Sequence, residues 1–220
     1  MPSRIASYNW EGCLTTLSTS GNLKPQLTSV GFPYNSLFIK LANLPKNNPI
    51  GATHATISNK KRFKSFGHNS IIRYASIINH PDKIEIGSNV FIGDHVWLNA
   101  DNWRDDDRPS LIIKDGSHIS RFTHINAFKD VIIEENVLIG ENVYLGDTDH
   151  ERSNKDIPIK DQGHEFKGPV LLKCGSFVCK NAIIAAGVTI GRNATVGPGA
   201  YVIESIPDNS LAIGNPAKTY

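Results

Sequence analysis

The segment Asp147-Thr148-Asp149-His150-Glu151 puts an imidazole between two carboxylates, and a second imidazole, His164, follows within the same stretch. A histidine near neutrality can take a proton from an acceptor group. A nearby carboxylate can fix its tautomer and support the imidazolium that forms. His150 is therefore the first candidate for a general base and Asp149 the first candidate to steady it, with His164 second and His124 third. A second segment, Asp101 to Ser110, combines Trp103 with charged, hydrogen-bonding side chains, which suits stacking on a sugar ring and binding its hydroxyls. Trp103 and Asp147 are the candidate acceptor contacts. No metal is expected at this site. The Asp run lacks the spacing and terminal Glu of an EF-hand, and Cys174 and Cys179 without a second pair are read as packing residues. His118 and His124, six residues apart, could form a zinc site only by converging between subunits.

Something regular must hold these groups, and the sequence supplies a repeat. From Leu172 an aliphatic residue recurs every six positions, through Val178, Ile184, Ile190, Val196 and Val202, with a small or aliphatic residue four positions after each. Six matches neither the helical period of 3.6 nor the strand period of two, but it suits short strands separated by corners. The phase runs upstream in triplets: Phe66, Ile72, Ile78; Ile86, Ile92, Leu98; Ile113, Ile119, Ile125; Ile133, Ile139, Leu145. Three hexads make one triangular coil, so about six coils are expected, stacked at the strand spacing of about 4.8 Å. No coil can bury its aliphatics alone; the stack gives them a continuous core. Glycine after the inward aliphatic and Asn89, Asn136, Asn142 and Asn193 are read as corner residues. The two chemistry-bearing segments, 101–110 and 147–169, are the interruptions of this beat, the longer one read as a structureless lid or binding loop.

These hexads, the 147–169 loop with its Asp156-Ile157-Pro158-Ile159 return, and the closing Ile213-Gly214-Asn215-Pro216-Ala217-Lys218 resemble the hexapeptide-repeat acyltransferases, in their sugar or polysaccharide O-acetyltransferase branch, over about residues 66–218. The resemblance implies an all-β fold, a left-handed parallel β-helix; general rules on crossovers favour the right hand, so the hand comes from the likeness alone. It also implies direct transfer of an acetyl group from acetyl-CoA, with no acyl-enzyme, in a site between subunits of a homotrimer. His150 matches the family's base, and Asn126 stands near the family asparagine that contacts the acceptor or the oxyanion. The positions matching the cofactor surface are Lys180, Ala185, Ala186, Gly187, Pro198, Ile203 and Lys218. Phe177-Val178-Cys179 departs from the usual Trp-Ile-Gly at that surface.

Composition bounds the alternatives. In 220 residues, 23 Lys plus Arg against 21 Asp plus Glu leave a net charge of +2, with no basic block for nucleic acid. Apolar runs fall far short of a membrane span, residues 1–30 lack the pattern of a secretory signal, and three cysteines cannot all pair, so a cytoplasmic protein is expected. The division expected is a capping flank over 1–65, with a short amphipathic helix around Leu37, Phe38, Leu41 and Leu44, the repeat over 66–206, and an irregular tail over 207–220. The leading expectation is an acetyl-CoA-dependent O-acetyltransferase acting on a carbohydrate hydroxyl. An amino-sugar N-acetyltransferase is the alternative, followed by a γ-type zinc carbonic anhydrase or a non-catalytic assembly protein.

Overall fold

The structure, a computed structural model, describes residues 60–220 apart from 74, 102 and 104–106, together with a short antiparallel pairing of Ala6–Ser7 with Thr15–Thr16 upstream. The helix expected around Leu37 to Leu44, and most of the flank expected to cap the repeat, lie outside the described residues. From Ser65 onward, each hexad folds as a strand of two to four residues followed by a corner.

The strands stack into three parallel sheets. The first holds Ser65–Phe66, Ile84–Ile86, Leu111–Ile113, Val131–Ile133, Val170–Leu172 and Thr189–Ile190. The second holds Ile71–Ile72, Phe91–Ile92, His118–Ile119, Leu138–Ile139, Phe177–Val178 and Thr195–Val196. The third holds Ile77–Asn79, Trp97–Ala100, His124–Ala127, Tyr144–Gly146, Ile183–Ile184 and Tyr201–Val202. Six coils thus wind a three-sided, left-handed parallel β-helix.

Register follows the hexads. Ile92, Ile119, Ile139, Val178 and Val196 pair in sequence on the second sheet, and Leu98, Ile125, Leu145, Ile184 and Val202 on the third. All ten side chains are fully buried. Because strand side chains alternate in direction, residues on either side of each aliphatic face outward. The coils are also tied by side chains: Ser70, Ser117 and Thr123 donate hydroxyl hydrogen bonds to the carbonyls of Gly87, Glu134 and Gly140 on the next coil.

The corners use two devices. Between the first and second sheets, left-handed positions fall to residues such as Asn89 (φ 57°) and Asn136 (φ 56°). The glycines after the inward aliphatics have another reason than the turn expected of them. A Cβ on Gly93 would stand 2.7 Å from the Arg121 nitrogen, and one on Gly140 would stand 2.6 Å from that of Lys180. Glycine is required there because the next coil lies directly over it.

The C-terminal tail, expected to be irregular, extends the sheets. Ile206 bridges to Ile190, Leu211–Gly214 adds to the second sheet beside Thr195–Val196, and Ala217–Thr219 returns antiparallel upon it. That return becomes the end strand of the second sheet. Among the described residues no helix is long and apolar enough to cross a membrane.

Candidate active site

Both interruptions leave from the same edge of the prism, where the third sheet turns into the first. Residues 101–110 depart after Trp97–Ala100, and 147–169 depart after Tyr144–Gly146. Between them, on the intervening coil, lies the tight corner Phe128-Lys129-Asp130.

The longer insert is an ordered arm, which corrects the expectation of a structureless loop. Thr148–His150 pairs antiparallel with His164–Phe166, in the register Thr148 with Phe166, Asp149 with Glu165 and His150 with His164. The tip is pinned by Gln162, whose side-chain amide donates to the carbonyls of Asn154 (2.7 Å) and Ile157 (2.6 Å) while its oxygen accepts from the Asn154 N–H (3.0 Å). Strand alternation divides the ribbon into two faces. Thr148, His150, His164 and Phe166 share one; Asp149 and Glu165 share the other.

Asp149 therefore does not reach the His150 imidazole. Its Oδ1 accepts the His150 backbone N–H at 2.7 Å, and its other oxygen pairs with Arg152. The ring beside His150 is His164, with centroids 4.5 Å apart. His164 in turn lies edge-on to Phe128 at 5.1 Å, and Phe128 lies edge-on to Trp103 at 4.7 Å. Side chains from both inserts thus meet over one corner of the prism. Trp103, expected to touch an acceptor, also anchors its own insert against the buried Phe128.

Asp147 holds that corner in place. It is fully buried, and its carboxylate accepts the backbone N–H groups of Phe128 (2.9 Å), Lys129 (2.7 Å) and Asp130 (2.8 Å). Burial pushes its pKa up, against the pull of those three donors. With both oxygens engaged inside the protein, the geometry gives Asp147 a clamping role at the root of the arm, where the sequence suggested an acceptor contact.

The third face carries two outward columns. One runs Ile77, Trp97, His124, Tyr144, Ile183, Tyr201; the other runs Asn79, Asn99, Asn126, Gly146 and continues to Ala185 and Ile203 in the same hexad phase. In the first, Trp97 stacks on His124 at 4.2 Å, and burial lowers the His124 pKa. In the second, Asn79 donates to Asn99 (2.7 Å) and Asn99 donates to Asn126 (2.5 Å). Asn126 is hydrogen-bonded to Tyr144, whose pKa burial raises, so the phenol keeps its proton. The second column thus changes from hydrogen-bonding to apolar, with its gap at Gly146, one residue before the arm begins.

Of the cofactor positions, Ala185, Ala186, Gly187 and Ile203 fall on the apolar side of that gap. Gly187 donates its N–H to the Gly168 carbonyl (3.1 Å), where the arm rejoins the prism. Lys180 and Pro198 lie at the opposite edge of the third face, and Lys218 lies on the terminal strand. His118 stands on the second sheet and His124 on the third, so they do not converge within the chain.

Sequence reasoning does not single out Tyr144, Phe128 and the asparagines at 79 and 99, and it reads Gly146 only as a corner glycine. Their signal was present: Ile78-Asn79, Leu98-Asn99 and Ile125-Asn126 put asparagine at one phase of three successive coils.

Residues 169–204 match the family described as bacterial transferase hexapeptide (six repeats), and 130–146 match the hexapeptide repeat of succinyl-transferase. The hexads of those two stretches are similar to the hexapeptide repeats of bacterial transferases.

Two curated relatives carry acetyltransferase names. The one from Schizosaccharomyces pombe is 38% identical over 63 residues, 29% of this chain and 30% of the relative. The other, from Mycobacterium tuberculosis, is 40% identical over 72 residues, 33% of this chain and 24% of the relative. The match therefore spans less than a third of the length of either relative. Among solved structures, the hexapeptide prism resembles AntD, an N-acyltransferase from Bacillus cereus, in complex with dTDP and 3-hydroxybutyryl-CoA. The TM-score is 0.63 at 25% identity, over 74% of this chain and 84% of that one. A hexapeptide-repeat-containing acetyltransferase from Vibrio cholerae, complexed with acetyl-CoA, shares the fold at a TM-score of 0.50 and 19% identity, over 73% and 72%.

Proposed function

We propose that this protein transfers an acyl group from an acyl-CoA, acetyl-CoA being the simplest donor, to the amine of an amino sugar carried on a nucleotide. The observation that carries the reading is the placement of the His150 imidazole. It stands on a pinned ribbon whose root lies where the outward column of the third face changes from asparagines to Ala185 and Ile203. A polar acceptor suits the asparagine side, and a thioester arm suits the side of small and apolar residues.

In this mechanism His150 takes a proton from the acceptor nitrogen as its lone pair attacks the thioester carbonyl. The tetrahedral oxyanion is met by hydrogen-bond donors such as the Asn126 amide. Its collapse expels the CoA thiolate, which recovers the proton from the His150 imidazolium. No acyl-enzyme forms, so His150 needs no nucleophilic partner.

The amine is preferred to the hydroxyl of the leading sequence expectation because of the likeness to the Bacillus cereus N-acyltransferase with bound dTDP. Thiol release from acetyl-CoA, measured against a dTDP-linked amino sugar, free amino sugars and sugars bearing hydroxyls alone, tests this. Turnover with the amino acceptors is expected; turnover confined to hydroxyl acceptors would overturn the N-acyl reading and return the O-acetyl one. His150→Ala should lower turnover by roughly two to four orders of magnitude.

The proposed assembly is a homotrimer with sites between subunits. Exposed apolar side chains on the third face, including Ile77, Trp97, Ile183 and Tyr201, supply surface for burial. Light scattering on the purified chain tests it, and a monomer at working concentration would reject it.

A further inference from the structure

We propose that His164 is the positioning residue of the site: it holds the His150 imidazole in place and links it to Trp103 in the shorter insert. The proposal rests on the acyl-transfer reading, and goes beyond it by naming what orients the base. Sequence logic assigns that task to a neighbouring carboxylate. The ribbon denies it to Asp149, because consecutive residues of a strand face opposite ways and the Asp149 carboxylate is engaged by Arg152 and a backbone N–H.

Glu151, two residues on from Asp149, is engaged as well. Its carboxylate accepts the backbone N–H groups of Arg152 (3.0 Å) and Ser153 (2.9 Å). The feature next to the His150 ring is His164, directly across the ribbon at 4.5 Å between centroids. Directly paired residues of an antiparallel ribbon project on the same side, so the two rings are held in contact by the backbone.

His164 is itself seated. It lies edge-on to Phe128 at 5.1 Å and to Trp103 at 6.2 Å, with interplanar angles of 61° and 63°. Phe128 is buried, at 5% exposure, and its own backbone N–H is fixed by the Asp147 carboxylate. The chain of contact therefore runs from a clamped corner of the prism, through Phe128, to His164 and then to His150. An exposed imidazole on a projecting arm would otherwise sample many rotamers. A ring seated against a fixed wall narrows that choice, which is how a supporting residue contributes to catalysis.

The role requires a flat ring at position 164 and makes no use of its nitrogens. That separates it from the other task His164 could have, serving as the base itself. Four variants are compared with the parent, using acetyl-CoA and the best acceptor from the thiol-release screen: His164→Ala, His164→Phe, His150→Ala and Trp103→Ala. His164→Ala should lower kcat by roughly 10- to 100-fold, while the KM for acetyl-CoA changes by less than about threefold, the signature of a mis-set reacting group. His164→Phe should restore most of that loss. Trp103→Ala should show a smaller fall in kcat of the same kind.

A second readout is independent of turnover. The ring-proton NMR signals of His150 should carry the ring-current shift of the adjacent, tilted ring in the parent and in His164→Phe, and lose it in His164→Ala. Normal kcat in His164→Ala, with His150→Ala inactive, would overturn the positioning role and leave the acyl-transfer reading intact. His164→Phe as impaired as His164→Ala would also overturn it, since the imidazole nitrogens would then be needed. Near-normal turnover in His150→Ala would overturn both.

Discussion

The side chains of Tyr144 and Asn126 are hydrogen-bonded across the bare backbone of Gly146. A Cβ at position 146 would stand 2.9 Å from the Asn126 Cβ and 3.1 Å from the Tyr144 hydroxyl. Gly146→Ala must therefore push the two side chains apart at the root of the arm. The expected cost is about 1–3 kcal/mol of stability from overpacking, with a larger proportional loss of turnover. Thermal unfolding and kcat/KM measured on the same variant check it; unchanged values for both would mean the site has slack that the geometry does not suggest.

Asp147→Ala tests the clamp. Three backbone N–H groups lose a charged acceptor at once, inside the protein. Removing one partner of a buried, charge-assisted network costs on the order of 3 kcal/mol or more. The corner at Phe128 should loosen and the arm with it. Faster proteolytic cleavage within 148–168 is the expected observation, alongside a lower unfolding midpoint.

The pH dependence of stability should carry a contribution from His118. This imidazole stacks on Phe91 with centroids 4.6 Å apart, and burial lowers its pKa from 6.5 to about 4. Between those values the unfolded chain binds the proton more readily than the folded one, so stability falls as pH drops through that window and levels off below it. The full effect is at most about 3 kcal/mol. Urea unfolding of the parent and of His118→Gln at pH 7.5 and pH 4.5 should show a smaller acid loss in the variant.

The interior ladder makes a simpler prediction. Ile125 is fully buried between Leu98 and Leu145. Ile125→Ala should cost about 2–5 kcal/mol, because flanking coils fixed by backbone pairing cannot close the cavity. An unfolding midpoint within a degree of the parent would contradict that rigidity.

The ladder is also where sequence and structure agree most closely. Each aliphatic of the hexad beat occupies the register that the phase assigns to it, since burial inside a three-sided prism tolerates one residue class at one spacing. The arm was less readable. Thr148 to His150 and His164 to Phe166 are two three-residue segments of mixed polarity separated by thirteen others, and nothing local marks them as partners. Asp147 illustrates a different difficulty. An acidic residue at the start of a polar insert looks solvent-facing, yet it is among the most buried polar groups because the neighbouring corner offers three backbone donors. Its place immediately after the gap at Gly146 could be read from sequence; its partners could not.

Both inserts depart where the third sheet turns into the first, after the inward residue of that coil has been placed and before the next begins. Lengthening, shortening or replacing the middle of either one changes no strand pairing inside the prism. Acceptor preference can accordingly diverge between homologues through these two excursions alone, and a chimera that exchanges 101–110 or 148–168 between relatives should keep its winding while adopting the donor parent's choice of substrate.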